Sequence, residues 1–408
     1  MSEPRAIVIV GGGLAGATAA ATLRDQGFDG RVVLIGEERE PPYERPPLSK
    51  SHLAGATSAQ DARVHGDGFY DEHGVELRTA ARASSLDIGR RRVLLAGGDE
   101  LEYDRLLLAT GAAPRRPPIP GADGDAVHVL RTLEDARRLR HVIEGGGRLV
   151  IVGAGWIGCE VAATARGLGA DVTVVEQGAR PLGRVLGDRL GDVFADLHRD
   201  HGVELLLGAG VDAIEAGGRR VRLATGREIS CAGVLLGVGA APRTALAQAA
   251  GLEVRDGVVA DSRLRTAAPD IFVAGDVAAA LHPRYGRPVR VEHWDNALAQ
   301  GAAAARAMLG ATDPFAGVPY FFSDQYDVGL EYVGLHGPDD AVVIRGEVEA
   351  RRFQAFWITP DRRVSAALHM NDWDAIDTIR SLVEDGMPVD VASLADESRP
   401  LAEAAGRS

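Results

Sequence analysis

Apolar and polar residues follow one another in blocks along this chain, and one order of blocks occurs twice. Residues 5–38 read RAIVIVGGGLAGATAAATLRDQGFDGRVVLIGEE, and residues 148–176 read RLVIVGAGWIGCEVAATARGLGADVTVVE. Each is an apolar strand, a glycine turn, an Ala-rich helix, a short turn, a second apolar strand and an acid. The first turn carries Gly11, Gly13 and Gly16, and the second carries Gly153, Gly155 and Gly158. A G-x-G-x-x-G motif alone is a weak signal, but between strand and helix and followed by an acid it points to dinucleotide binding. The first glycine permits a tight turn, the second lets a pyrophosphate approach the backbone, and the third lets helix and strand pack closely. The helix N-terminus then offers N–H groups and partial positive charge to the phosphates. Glu37 and Glu176 are placed to accept hydrogen bonds from ribose hydroxyls. The competing reading is two helices that merely need small residues to pack.

Further blocks fill out an α/β pattern. LLLATGAAPRRPPIPG ends a strand at Ala109-Thr110-Gly111, and TAAPDIFVAGDVA reads as a buried strand ending at Gly275-Asp276. VEHWDNALAQGAAAARAML opens a helix near Asp295. Towards the C-terminus AVVIRGE, RRFQAFWI and VSAALHM are strand-like. The pattern predicts two Rossmann-like dinucleotide-binding domains and a small α+β C-terminal domain.

Composition narrows the function. With 408 residues the chain exceeds one ordinary core, and 46% hydrophobic with 25% charged residues is globular in character. No apolar run reaches the length of a membrane span, and the N-terminus does not read as a signal peptide. A net charge of −13 argues against nucleic acid as the partner. Cys159 and Cys231 stand too far apart for a C-x-x-C redox pair or a zinc knuckle, no metal site is expected, and a reducing cytoplasm is the expected compartment. Glu176 favours NADH over NADPH, since a carboxylate repels a 2′-phosphate; Arg180 and Arg184, just downstream, weaken that preference.

Together with PPLSK at 46–50, LRTLED at 130–135 and FSDQY at 322–326, these stretches resemble the two-dinucleotide flavoproteins of the glutathione-reductase fold. Within them the chain is similar, over essentially its whole length, to the putidaredoxin reductase-like ferredoxin reductases. The resemblance implies FAD on the first motif, with Leu14, Ala15, Glu37, Arg45, Lys50, Ala83, Arg131, Asp276 and the helix at Trp294 around it. It implies NADH on the second motif, with Trp156, Ile157, Glu160, Glu176, Arg184 and Gly239. It also implies a discontinuous FAD domain (1–110 and 242–317), an NAD domain (111–241) and a C-terminal domain (318–408). The implied reaction is hydride transfer from NADH to FAD N5, then release of single electrons to a small iron–sulfur ferredoxin, 2Fe–2S by expectation. That ferredoxin would serve a haem-thiolate monooxygenase or Rieske dioxygenase. No membrane is involved, and the expected state is a monomer or weak dimer.

Two departures bear on this resemblance. Relatives that reduce disulfides or peroxides need a cysteine beside the flavin, and PPYERPPLSK has none. Lys50 is the only lysine in the chain, against 44 arginines. Codon bias explains the scarcity; the resemblance places Lys50 near flavin N5, facing Glu160 across the nicotinamide pocket, where a compact ammonium fits better than a planar fork. Tyr320, Phe321 and Phe322 stand where putidaredoxin reductase carries tryptophans, either on the electron exit or as a core aromatic cluster. A same-fold NADH oxidase, a rubredoxin reductase and a redox-responsive signalling flavoprotein remain as alternatives.

Overall fold

A computed structural model gives the fold and describes residues 4–404. The chain forms two units. Met1–Pro46, Ser58–Ala113 and Ala240–Gly317 make the first; Pro47–Thr57, Pro114–Gly239 and Val318–Ser408 make the second. The stretch Pro47–Thr57, which holds Lys50, thus belongs to the second unit.

The first unit is built on a parallel five-stranded sheet ordered Ile271–Val273, Arg105–Leu108, Ala6–Val10, Arg31–Ile35, Val75–Arg78. Its strands are continuous apolar runs because a parallel sheet is covered on both faces. The helix Leu14–Asp25 crosses over from the first strand and packs along the helix Trp294–Met308. Alanine and glycine make this approach close: a Cβ on Gly301 would lie 2.5 Å from the Ala15 carbonyl oxygen. Arg24 closes the end of the first crossover, donating to the carbonyl oxygens of Phe28, Gly30, His73 and Gly74. Buried Arg105 pairs with Asp270 at 2.5 Å and ties two strands of the sheet.

The second unit repeats the plan. Its parallel sheet is ordered Glu204–Leu207, Asp171–Glu176, Arg148–Val152, Gly233–Leu236, Val127–His128. The helix Leu133–Glu144 begins in a capping box, with the Thr132 hydroxyl accepting from Asp135 N and the Asp135 carboxylate from Thr132 N. The helix Gly183–Asp200 is broken at Gly187, whose φ is 79°.

An antiparallel five-stranded sheet completes this unit, ordered Tyr320–Gln325, Val328–Gly334, Val364–Met370, Arg352–Ile358, Ala341–Glu347. The last three strands lie on the segments expected from sequence. Side chains alternate faces as the pleat requires. Phe353, Ala355 and Trp357 join the core of the helices Trp156–Gly167 and Gly183–Asp200, while Phe356 and Ile358 face the core of the helix Ile376–Asp385. Arg345, itself buried, donates to the carbonyl oxygens of Leu394, Asp396 and Arg399 and fastens the C-terminal segment to this sheet.

Candidate functional site

The two glycine turns have one geometry. Gly11 and Gly153 take φ of 130° and 102°, where a Cβ would sit 2.0 Å from Ala109 O and 2.5 Å from Gly237 O. Gly16 and Gly158 press their helices onto the turns, with a Cβ falling 2.1 Å from Gly11 O and Gly153 O. The middle glycines differ in kind. Nothing lies within 4 Å of a Cβ built on Gly13, and only Gly237 O, at 4.0 Å, approaches one on Gly155. Neither helix is capped by a side chain. Each motif is therefore a concave run of backbone leading into an uncapped helix N-terminus, with room for a pyrophosphate over the middle glycine.

In the first unit, Leu14 and Ala15 open the helix and are buried, Ala83 begins the strand Ala83–Asp87, and Asp276 lies in the turn Gly275–Val277. Gly275 has φ 76° and its N–H donates to buried Gln300. Trp294 is the first residue of its helix, after His293. Glu37 pairs with Arg243 at 2.6 Å and lies 3.7 Å from Arg82. Arg45 pairs with Glu38 at 2.8 Å and lies over the Tyr43 ring, whose hydroxyl also donates to Glu38.

In the second unit, Glu176 ends its strand and accepts from Ala154 N at 2.7 Å and Gly178 N at 2.6 Å. A carboxylate has about four acceptor positions, so both oxygens retain capacity for ribose hydroxyls. Arg180 is held by Asp188 and Asp192, whereas Arg184 is exposed in the first turn of its helix. Trp156 packs against Phe194 and Phe321, Ile157 beside it is exposed, and Gly239 (φ 95°) accepts from Arg115 N. Arg131 precedes the capping box and its N–H donates to Asp135. Lys50 and Arg131, expected with the flavin, are thus carried by the second unit.

Lys50 and Glu160 meet directly. Nζ lies 2.9 Å from Glu160 Oε1, an ion pair with both side chains largely shielded from solvent, at 18% and 5% exposure. Sequence reasoning set them facing across a pocket; the structure joins them, because the turn Pro46–Ser49 is lashed to the helix Trp156–Gly167. Thr164 donates to Ser49 O at 2.7 Å and Ser49 Oγ donates to Glu160 at 2.5 Å. Ser323 Oγ donates to the same carboxylate at 2.7 Å. Burying a carboxylate is costly unless it is paired and hydrogen-bonded, and here it has one cation and two hydroxyls. The Lys50 ammonium also lies 5.3 Å from the Phe322 ring centroid.

Sequence reasoning missed Ser49 and Ser323. Both were inside quoted motifs, but only the fold brings them to Glu160. Of the three aromatics in question, Phe321 joins a core cluster with Trp156 and Tyr332, Phe322 attends Lys50, and Tyr320 donates to Glu331 beneath Arg380. Neither cysteine suits thiol chemistry. Burial pushes the Cys159 thiol well up, and pushes Cys231 up to about 11. Among the described residues no cluster of acids, histidines and cysteines could hold a metal ion, and no helix is long and apolar enough to cross a membrane.

Comparison with known proteins gives a consistent picture. The family described as pyridine nucleotide-disulphide oxidoreductase matches residues 5–301, and one described as reductase C-terminal matches 320–405. The chain is 41% identical to a probable ferredoxin reductase, CtmF, of Castellaniella defragrans, over 89% of this chain and 90% of the relative. It is 40% identical to the ferredoxin–NAD(+) reductase component of the anthranilate 1,2-dioxygenase system of Burkholderia cepacia, over 95% and 96%. It superposes on the crystal structure of the covalent putidaredoxin reductase–putidaredoxin complex with a TM-score of 0.95 at 34% identity, covering 99% of each chain.

Proposed function

Because this chain belongs to the ferredoxin reductases of the pyridine nucleotide-disulphide oxidoreductase family, we propose that it is an NADH-dependent, FAD-containing ferredoxin reductase of an oxygenase system. FAD, when bound, supplies a hydride acceptor at N5 and returns the two electrons one at a time to an iron–sulfur ferredoxin. The first glycine cradle, with Glu37, Arg45, Ala83 and Asp276, would hold FAD. The second, with Trp156, Ile157, Glu176, Arg184 and Gly239, would hold NADH. The open middle glycines and uncapped helices support both assignments.

Glu160 carries this reading. It lies one turn into the helix of the second cradle, two residues past Gly158, and holds the only lysine of the chain. Lys50 Nζ has three donors. With one on Glu160, two would remain to orient a bound nicotinamide ring or to hold a proton. The carboxylate fixes where that ammonium stands, and burial keeps water from competing for it. Disulfide or peroxide reduction through a protein thiol finds no support, since Cys159 is buried and its thiol is held protonated near neutral pH. The ferredoxin we propose carries a 2Fe–2S cluster. The reductase itself we take to be a monomer or weak dimer; its place in a reducing cytoplasm we base on two unpaired cysteines.

The test is direct. Purified protein should be yellow with one FAD, be bleached by NADH without oxygen, and reduce cytochrome c only when a small 2Fe–2S ferredoxin is added. A colourless protein that FAD cannot reconstitute, or one that never reduces a ferredoxin, would refute it.

A further inference from the structure

Behind Ser323, and outside the roles assigned above, runs a line of buried and half-buried polar side chains from two separate parts of the second unit. Gln325 Nε2 donates to Ser323 Oγ at 3.2 Å. His198 Nε2 is 3.1 Å from Gln325 Oε1, and His198 Nδ1 is 3.0 Å from the Tyr326 hydroxyl. Ser323, Gln325 and His198 are 1%, 2% and 1% exposed. Tyr326 sits at the hairpin turn with φ 57°, a left-handed conformation uncommon for a non-glycine residue, and its ring stacks on His201 at 3.6 Å.

The sense of every bond in this line follows from its inner end. A carboxylate only accepts, so the Ser323 hydroxyl must donate its hydrogen bond to Glu160. The Ser323 oxygen is then an acceptor and receives a hydrogen bond from the Gln325 amide nitrogen. That turns the amide oxygen towards His198, so Nε2 carries the ring proton. Nδ1 is left bare, and the Tyr326 hydroxyl donates to it. Burial holds His198 neutral and keeps the Tyr326 proton on, as this order requires. Read inwards, each outer residue satisfies the group left over on the one inside it and so holds it in place. Without the Gln325 amide, the Ser323 oxygen would still donate to Glu160 but would lose the one donor that holds it in place from behind.

We propose that Gln325, His198 and Tyr326 are positioning residues for the Lys50–Glu160 pair, acting by holding the Ser323 oxygen in place against Glu160. The proposal rests on the reading that this pair serves hydride transfer, and its test separates the two. FAD-loaded Gln325→Met, Ser323→Ala, the double variant and Lys50→Arg are compared with the parent in anaerobic reduction by saturating NADH. The same Gln325→Met and parent proteins are grown with 15N-lysine, which gives a single side-chain ammonium signal because the chain has one lysine. Gln325→Met and Ser323→Ala should each slow reduction about tenfold, the double variant should be no slower than Ser323→Ala, and the ammonium signal should broaden in Gln325→Met. A double variant slowed about a hundredfold, or Gln325→Met with parental rate and signal, overturns the proposal. Parental reduction by Lys50→Arg sinks the hydride-transfer reading instead, while the ammonium signal still decides whether Gln325 positions Lys50. If Gln325→Met does not accumulate as flavoprotein, Tyr326→Phe is measured in its place. It should lose about threefold, a loss absent in the Ser323→Ala background, and a parental rate overturns the proposal.

Discussion

Lys50 presents a compact ammonium to Glu160 while lying against Phe322, and the hydroxyls of Ser49 and Ser323 hold the carboxylate it pairs with. A guanidinium in that seat keeps the charge but brings a wide planar fork with five fixed donors, and Arg and Lys are not interchangeable at a seat shaped for one point charge. Lys50→Arg should therefore keep FAD and lose speed, by a factor of about 100 in flavin reduction by NADH, which corresponds to roughly 2.7 kcal/mol of transition-state stabilisation. Stopped-flow absorbance under nitrogen measures it, and an unchanged rate would mean that the lysine is an accident of codon usage. Glu176 shows the same economy at residue scale: one carboxylate braces two backbone N–H groups of the glycine turn and still has acceptor positions towards a ribose.

At the scale of elements, the helix Gly183–Asp200 is coupled to pH through His198. Burial holds this imidazole down to about 4, against an ordinary value near 6.5. Between those values the unfolded chain binds a proton that the folded chain refuses, so stability is complete above about pH 6.5 and falls as the pH drops towards 4. From pH 7 to pH 5 the loss from this one group is roughly 2 kcal/mol. His65, His128 and His282, also held low chiefly by burial, add in the same direction. Denaturant unfolding at the two pH values measures it: His198→Gln should lose less stability than the parent, and equal losses would refute the assignment. His198 also marks what the sequence could not disclose. The repeated glycine units were legible because strand, turn, helix and acid are contiguous, and the three late strands because apolar residues run on through them. The Glu160 surroundings were not, because Ser323 is 163 residues from Glu160 and His198 is 127 from Gln325. Those partners meet only once helix, hairpin and turn have been packed. The membership of Pro47–Thr57 in the second unit likewise leaves no local signature.

For the whole molecule, charge sets the terms of any encounter. The net charge of −13 would repel an acidic ferredoxin at long range, so productive approach needs arginines gathered locally. Arg380 over Tyr320 lies on the C-terminal part of the second unit, as do the largely exposed Arg352 and Arg362, which pair at 3.9 Å and 3.5 Å with Asp372 and Asp390. Electron transfer to an acidic ferredoxin should therefore weaken from low salt to about 0.5 M, where the Debye length is about 4 Å, and a rate indifferent to salt would mark an apolar docking surface. The arginine-for-lysine bias that shapes this surface has another consequence, in protease chemistry. Trypsin has 44 arginines to work through, but a lysine-specific endoprotease has one bond, after Lys50. That bond lies in a turn where Lys50 N donates to Pro47 O and Lys50 O accepts from Ala54 N, with the side chain that the protease must grip already held by Glu160. The native chain can be cut there only while the turn is open, so the rate of that single cleavage clocks how often the Lys50–Glu160 site comes apart.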